Sequence, residues 1–191
     1  MNENNYLYVS AGSTPPAFAN SVSWFLALHQ ADYKVTDIFF IPSKENTKYG
    51  VKGTRDNIPK AIDLAKQSLS MMNPQLLDEV TFHEQPPFSM PEEDLLEATR
   101  VTVKNVREAA AGAGTIIFDM TAGRKTMGAA ITLSANILKF KYTMNVFITY
   151  YWLIHWNKEN LRKKAHELGR DDIASKVFNL DHLDEIIKSL E

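Results

Sequence analysis

Residues 115–128 read TIIFDMTAGRKTMG and join a short apolar run to a turn of small and basic residues. The run Thr115–Asp119 carries three consecutive bulky apolar side chains, which is typical of a strand buried on both faces. Gly123 and the alanine before it suit a tight turn, and apolar residues recur at helical spacing from Lys125 onward. A buried strand followed directly by a helix is the building unit of a parallel α/β sheet.

The same alternation of apolar runs and helix-period segments extends over most of the chain. Five runs rich in Val, Ile, Phe and Tyr predict strands at Tyr6–Ser10, Asp37–Ile41, Glu79–His83, Thr115–Asp119 and Asn145–Tyr151. Helices are predicted between them at Ala17–His29, Arg55–Ser70, Met90–Ala111 and Lys125–Lys139. This order predicts an α/β fold, a Rossmann-like three-layer sandwich with a mainly parallel sheet.

The pattern changes after Trp156, where charged residues become frequent. Short helices are predicted there at Lys158–Leu168, Asp171–Val177 and Leu183–Leu190. We therefore expect a Rossmann-like domain over residues 1–156 and a short, basic helical C-terminal extension over residues 157–191.

Composition places the chain among single-domain globular proteins. Its 191 residues are 45% hydrophobic, which is enough for one buried core. The absence of cysteine excludes disulfides, cysteine nucleophiles and zinc sites built on thiolates. The polar start MNENN lacks the pattern of a signal peptide, and the most apolar stretch, 142–156, is shorter than the roughly 20 residues that a bilayer requires. We expect a soluble, cytoplasmic protein without a membrane segment.

Charge is unevenly distributed along the chain, although the net charge is only −2. Residues 73–99 carry seven acidic side chains and no Lys or Arg, whereas residues 121–170 carry nine basic and two acidic ones. A basic half of this kind is what a polyanionic ligand needs. Solvated helix faces explain the basic residues after Lys139 equally well, so charge alone leaves both interpretations open.

The turn after the fourth predicted strand has the properties of a phosphate-binding turn. Ala122 and Gly123 allow a ligand to approach the backbone, and free N–H groups at the start of the next helix face an anion. Arg124 and Lys125 add positive charge. The glycine spacing fits neither a Walker A loop nor a dinucleotide-binding fingerprint. The alternative is an ordinary strand-to-helix turn with incidental basic residues.

A second candidate turn, Ser10–Thr14, follows the first predicted strand. The hydroxyl of Thr14 is expected to cap the next helix, which leaves Ser10 and Ser13 to bind a ligand. In a doubly wound sheet, the turns after the first and fourth strands can lie together on the same carboxyl edge. We expect the two turns to form one site.

These residues resemble a known family. The stretch Asp119–Met127 resembles the Asp-x-Thr-Gly-Gly-x-Lys-x-Met signature of CARF domains, the CRISPR-associated Rossmann fold. The stretch Tyr8–Pro15 is similar to the turn that follows the first strand in that family. Ala122 stands where the family usually has its first glycine, and a positive φ there would cost about 1 kcal/mol.

The resemblance implies a homodimer in which two copies of this edge bind one cyclic oligoadenylate, expected to be cyclic tetra-adenylate. CARF proteins without an effector domain resemble ring nucleases, whose reaction needs neither metal nor cofactor. By that resemblance Lys125 is catalytic, Ser13 or Ser10 orients the ribose, and Arg124 holds phosphate. The expected substrate-binding residues are Ser10, Ala11, Gly12, Ser13, Thr14, Thr121, Ala122, Gly123, Arg124, Lys125 and Met127.

Two other functions stay open. A CARF sensor would bind the ring without cutting it and pass the signal through the basic C-terminal helices to a partner or to nucleic acid. A protein outside the family would be a generic Rossmann-like nucleotide-binding protein. His29, His83 and His155 fit structural roles better than that of a general base. The candidates for core packing, or for stacking on adenine, are Tyr150, Tyr151, Trp152 and Trp156.

Overall fold

A computed structural model describes residues 4–50, 52–155, 157 and 159–181. Its centre is a six-stranded sheet in the order β3-β2-β1-β4-β5-β6, in which β1 to β5 are parallel and β6 is antiparallel to β5. The strands are β1 Asn5–Ala11, β2 Asp37–Pro42, β3 Thr81–His83, β4 Thr115–Asp119, β5 Val146–Leu153 and β6 Ile173–Asn179. The mainly parallel sheet confirms the predicted Rossmann-like fold.

Helices cover both faces of the sheet. They are α1 Pro15–Tyr33, α2 Ile58–Met72, α3 Leu76–Glu79, α4 Leu95–Ala109 and α5 Lys125–Asn136, with one π-helical turn at Ile137–Lys141. The helices α1 and α2 bury their apolar side chains against one face of the sheet, and α4 and α5 against the other. The two larger core clusters lie one on each side of the central strands, which gives the three layers expected from the sequence. Among the described residues, no helix is both long and apolar enough to cross a membrane.

The predicted strands agree closely with those in the structure. The strand β4 has the predicted bounds, while β1, β2 and β5 each extend past their predicted ends by one or two residues. The predicted start of the third strand is wrong, because residues up to Glu79 form the single turn of α3. The helix predicted from Met90 begins only at Leu95, since the Asp94 carboxylate caps it by accepting the Glu97 N–H at 2.9 Å.

The helix predicted at Asp171–Val177 is wrong, because most of this segment belongs to β6. The strand pairs with β5 over seven residues. Its side chains alternate between the two faces of the sheet: Ile173 and Ser175 are buried, whereas Lys176 is exposed. The helix predicted at Lys158–Leu168 is also absent from the described residues there, which form two 3₁₀ turns, Asn160–Arg162 and Ala165–Glu167. The predicted helix Leu183–Leu190 lies outside the described residues, as do Trp156 and Lys158.

Candidate functional site

Two turns meet at the carboxyl edge of the central strands. The order β2-β1-β4-β5 makes the chain leave β1 and β4 toward opposite ends of the sheet, and such a switch point opens a crevice above the two strands. The Gly123 N–H donates to Ser10 Oγ at 2.9 Å. A Cβ built on Gly12 would lie 3.0 Å from the carbonyl carbon of Ala122. The predicted juxtaposition of the turns is confirmed, and it depends on the lack of a side chain at Gly12.

A buried carboxylate holds the second turn in shape. Asp119, at the end of β4, is 1% exposed and accepts the Thr121 N–H at 2.8 Å on one oxygen and the Ser21 hydroxyl on the other. Burial raises the pKa of this carboxyl, and the hydrogen bonds from Ser21 and Thr121 act in the opposite direction. The Thr121 hydroxyl oxygen also accepts the Tyr151 N–H at 2.9 Å, which ties the turn to β5. Asp119 therefore positions the turn from beneath.

Two residues of the loop after β2 hold the first turn. The Thr54 hydroxyl donates to the Ala11 carbonyl oxygen at 2.6 Å and accepts the Ser43 N–H at 2.8 Å. Asn57 donates its side-chain N–H to the Gly12 carbonyl oxygen at 3.2 Å. The sequence analysis missed both residues. Their only signal in the sequence is that they follow the polar loop after the second strand. Their contacts with the first turn join residues more than 40 positions apart, so no local pattern indicates them.

Three predicted site residues present to solvent polar side-chain groups that no described residue binds: Ser13, Thr14 and Lys125. Lys125 begins α5, and no described residue forms a hydrogen bond or ion pair with its ammonium group. Thr14 is the N-cap residue of α1, but the prediction that its hydroxyl caps the helix is wrong. Its carbonyl oxygen accepts the Ala17 N–H at 3.0 Å instead, which leaves the hydroxyl available. Thus one cation and two hydroxyls face outward where the turns meet.

Arg124 is already paired. Its guanidinium forms an ion pair with Glu92 and also donates to the Lys52 carbonyl oxygen at 3.4 Å. The Glu92 side chain is only 9% exposed, and its second carboxylate oxygen is buried without a partner among the described residues. The sequence indicated an acidic segment around Glu92, but gave no sign that it reaches this turn. Any anion that binds Arg124 must therefore compete with Glu92.

The side chains of three predicted binding residues lie inside the protein. Ser10, Ala11 and Met127 are each fully buried, and Met127 packs within the core cluster on the α4 and α5 side of the sheet. The Ser10 hydroxyl, expected to be free for ligand, is engaged by the Gly123 N–H because the turns pack so closely. These side chains support the edge from below, and direct contact between them and a ligand stays a prediction.

Two of the three histidines considered as general bases, His83 and His29, have protein partners for their side chains. His83 is hydrogen-bonded to Asp37 at 2.7 Å and stacks on Phe39, with ring centroids 4.2 Å apart. His29 lies 3.3 Å from the Ser175 carbonyl oxygen, and burial lowers the pKa of its imidazole. Both contacts agree with the structural roles expected from the sequence.

A pocket of about 410 Å³ opens beside the two turns. Thr14 and Thr121, which belong to the two turns, both line it, so the pocket adjoins the polar edge. Its other lining residues come from α1, the end of β5 and the 3₁₀ turn after β5: Ala17, Asn20, Tyr150, Tyr151, Trp152, Leu153, Asn160 and Leu161. The volume lies within the range of small-molecule sites.

Comparisons with known proteins give a likeness of fold only. No family model matches the sequence, and no curated protein matches it. Among solved structures, the chain is similar to Enterococcus italicus Csm6 bound to cyclic hexa-2'-fluoro-hexa-dAMP, with a TM-score of 0.54 and 9% sequence identity. The match covers 99% of this chain and 46% of that one, so this chain spans about half the length of the protein it matches.

Proposed function

We propose that this protein binds a cyclic oligoadenylate at the edge formed by the two turns and cleaves it without a metal ion. The observation that carries the proposal is the packing of the small-residue turns at the switch point, with Lys125 and Ser13 exposed above them. The sequence resemblance to CARF domains supports the ligand class. The likeness of fold to a protein solved with a cyclic hexanucleotide agrees with it.

Phosphate binding rests on α5. The first N–H groups of this helix have no intrahelical acceptor, and they carry partial positive charge toward the turn. Lys125 adds a full charge at the same point without a competing carboxylate among the described residues. Arg124 contributes once phosphate has displaced Glu92, since its planar guanidinium suits two phosphate oxygens.

The cleavage step uses a nucleophile that belongs to the substrate. A ribose 2′-hydroxyl attacks the adjacent phosphorus, the bond from phosphorus to the 5′ oxygen breaks, and a 2′,3′-cyclic phosphate forms. The proton lost by the 2′-hydroxyl is balanced by the proton gained by the leaving 5′ oxygen. Ser13 orients the ribose, and Lys125 stabilises the charge that develops on the phosphorane and leaving oxygen. These contributions are positioning and electrostatics, which need no further general base.

The proposed assembly is a homodimer with two facing edges. An isologous contact offers each half of a ring the same groups, which suits a ring with an even number of adenylates such as cyclic tetra-adenylate. Size measurements with and without the ring test this assembly. A protein that is monomeric in both states contradicts a shared site.

The decisive experiment is incubation of the purified protein with cyclic tetra-adenylate and EDTA, followed by chromatography of the products. Linear di-adenylate with a 2′,3′-cyclic phosphate end is the expected result. An intact ring that co-elutes with the protein identifies a non-cleaving sensor instead. The pairing of Arg124 with Glu92 favours this second function, because it leaves less positive charge to stabilise a transition state. A ring that neither binds nor reacts leaves a generic nucleotide-binding fold.

Two basic side chains of the C-terminal segment have partners within the chain. Lys163 pairs with Glu159 at 3.1 Å, and Lys164 donates to the Gln67 side chain at 3.0 Å. Both cations are therefore engaged within the chain. Salt-dependent affinity for linear RNA is the measurement that tests a sensor acting through this segment.

A further inference from the structure

The pocket beside the two turns contains two amide groups that are only half satisfied. The side-chain N–H of Asn20 donates to the Lys163 carbonyl oxygen at 2.9 Å, and that of Asn160 donates to the His155 carbonyl oxygen at 3.0 Å. These carbonyl partners fix the orientation of each amide, because the flipped orientation would place two oxygens against each other. No described residue donates a hydrogen bond to either side-chain oxygen. The pocket is thus lined by two free acceptors.

Both amides are held rigidly. Asn20 and Asn160 are only 7% and 6% exposed, so the surrounding protein holds both side chains in place, while neither side-chain oxygen is completely shielded from solvent. An acceptor oxygen that has no protein donor is available to a ligand that supplies N–H groups. The residues therefore suit a ligand with an amino group more than one with a carbonyl group.

The pocket also offers an aromatic surface. Tyr150 and Trp152 stack with ring centroids 5.8 Å apart and planes inclined by 26°, and both line the pocket. They project from β5 beyond the core, and both side chains are partly exposed. Flat heterocycles stack favourably on such rings, largely independently of which base they carry. Selectivity among bases must then come from the polar groups.

We propose that this pocket is an adenine subsite in which Asn20 and Asn160 accept hydrogen bonds from the exocyclic amino group. This inference rests on the proposed function, which supplies an adenine-containing ligand. Thr14 and Thr121 connect the pocket to the turns, so a base in the pocket leaves its ribose and phosphate at the polar edge. The two acceptors reject hypoxanthine, which carries a carbonyl oxygen where adenine carries the amino group.

The test compares cyclic tetra-adenylate and cyclic tetra-inosinate by calorimetric titration of the intact protein. The two rings differ only at positions 1 and 6 of the base, where hypoxanthine carries an N1–H and a carbonyl oxygen in place of the unprotonated N1 and the amino group of adenine. Wild type is expected to bind the adenylate ring at least about tenfold more tightly, since a mispaired buried polar group typically costs a factor of this size. Asn20→Leu and Asn160→Leu are each expected to reduce this preference severalfold. Asn105→Leu is the matched control: the Asn105 amide on α4 likewise donates to a backbone carbonyl, that of Val101, but lies outside the pocket.

The preference is the ratio of the affinities for the two rings. Because a loss of folded protein lowers both affinities equally, a variant with partly lowered stability still reports on the pocket. If the leucine variants do not fold, Trp152→Phe and Trp152→Leu replace them. The phenyl ring is expected to keep most of the affinity for the adenylate ring and leucine to lose about tenfold. Equal affinities of Trp152→Leu and wild type overturn the subsite.

Two results separate this inference from the proposed function. Binding of both rings with equal affinity, or a preference unchanged in both Asn variants, overturns the adenine subsite while the ring-binding function stands. Binding of neither ring by the wild type overturns the proposed function, and the subsite falls with it.

Discussion

Replacing Gly12 by alanine is the sharpest test of the contact between the two turns. A Cβ at this position would lie 3.0 Å from the Ala122 carbonyl carbon and far inside van der Waals contact with the attached oxygen. The obstacle is backbone, so it cannot rotate away as a side chain would. Gly12 is also buried, and its carbonyl oxygen is held by Asn57. One turn must therefore move.

Overpacking of this kind typically costs about 1–3 kcal/mol of unfolding free energy. For a chain of this length, such a loss lowers the melting temperature by roughly 2–12 °C. The matched control is Gly128→Ala in α5, where a Cβ meets nothing within 4 Å. Alanine is favoured over glycine in a helix by about 0.5–1 kcal/mol, so the control is expected to raise the melting temperature by roughly 1–4 °C.

Thermal unfolding of the three proteins measures the stability effect, and calorimetric titration with cyclic tetra-adenylate measures the effect on the site. We expect Gly12→Ala to lose more ring affinity than its lowered stability explains, because in the folded variant the added Cβ keeps the two turns apart. A Gly12→Ala protein as stable as wild type, with unchanged affinity, would refute the described packing of Gly12 against Ala122.

Three further substitutions test the charges at the site. Lys125→Ala should lower the rate of ring cleavage about 100-fold or more while weakening ring binding much less, since the charge that Lys125 stabilises develops in the transition state. Equal losses of cleavage rate and of affinity would make Lys125 a binding residue only. Glu92→Gln should free Arg124 from its ion pair and tighten ring binding a few-fold, with a steeper dependence on salt. Glu93→Gln is the control, because the Glu93 carboxylate accepts a hydrogen bond from Asn46, and it should leave ring binding unchanged. Identical titrations of the two variants contradict a competing ion pair. Burial raises the pKa of Asp119 above the ordinary 3.8, so the folded state holds this proton more tightly than the unfolded state. As pH rises from that value through the raised pKa, wild type should therefore lose stability relative to Asp119→Asn. Parallel pH profiles of the two proteins, measured by urea unfolding, contradict this expectation.

Much of the fold could be predicted because its signals are local. Continuous apolar runs identify strands buried on both faces, and β4 has the bounds that its sequence predicts. The segment that forms β6 is predicted as a helix because its apolar residues, Ile173, Ala174, Val177 and Phe178, recur at helical spacing. Its partner is β5, whose paired residues lie 20 to 32 positions earlier in the chain, and that pairing decides its structure.

The site divides in the same way. The two turns were found because each is a local arrangement of small and hydroxyl-bearing residues beside a predicted strand. The partners of those residues were not found, since the Ser10 and Gly123 contact spans 113 positions and the Arg124 and Glu92 contact spans 32. A serine that looks free in sequence can therefore be the buried support of another turn.

By itself, the sequence of this protein determined the strand and helix periods, the three-layer architecture and the two turns at the carboxyl edge. Those properties follow from side-chain spacing and backbone geometry within a few residues. Only the tertiary structure decided that Ser13 and Lys125 are exposed while Ser10 and Met127 are buried. It also decided that Glu92 forms an ion pair with Arg124 and that Asn20 and Asn160 line one pocket. Burial and pairing depend on which distant segments pack together, and no local pattern along the chain carries that information.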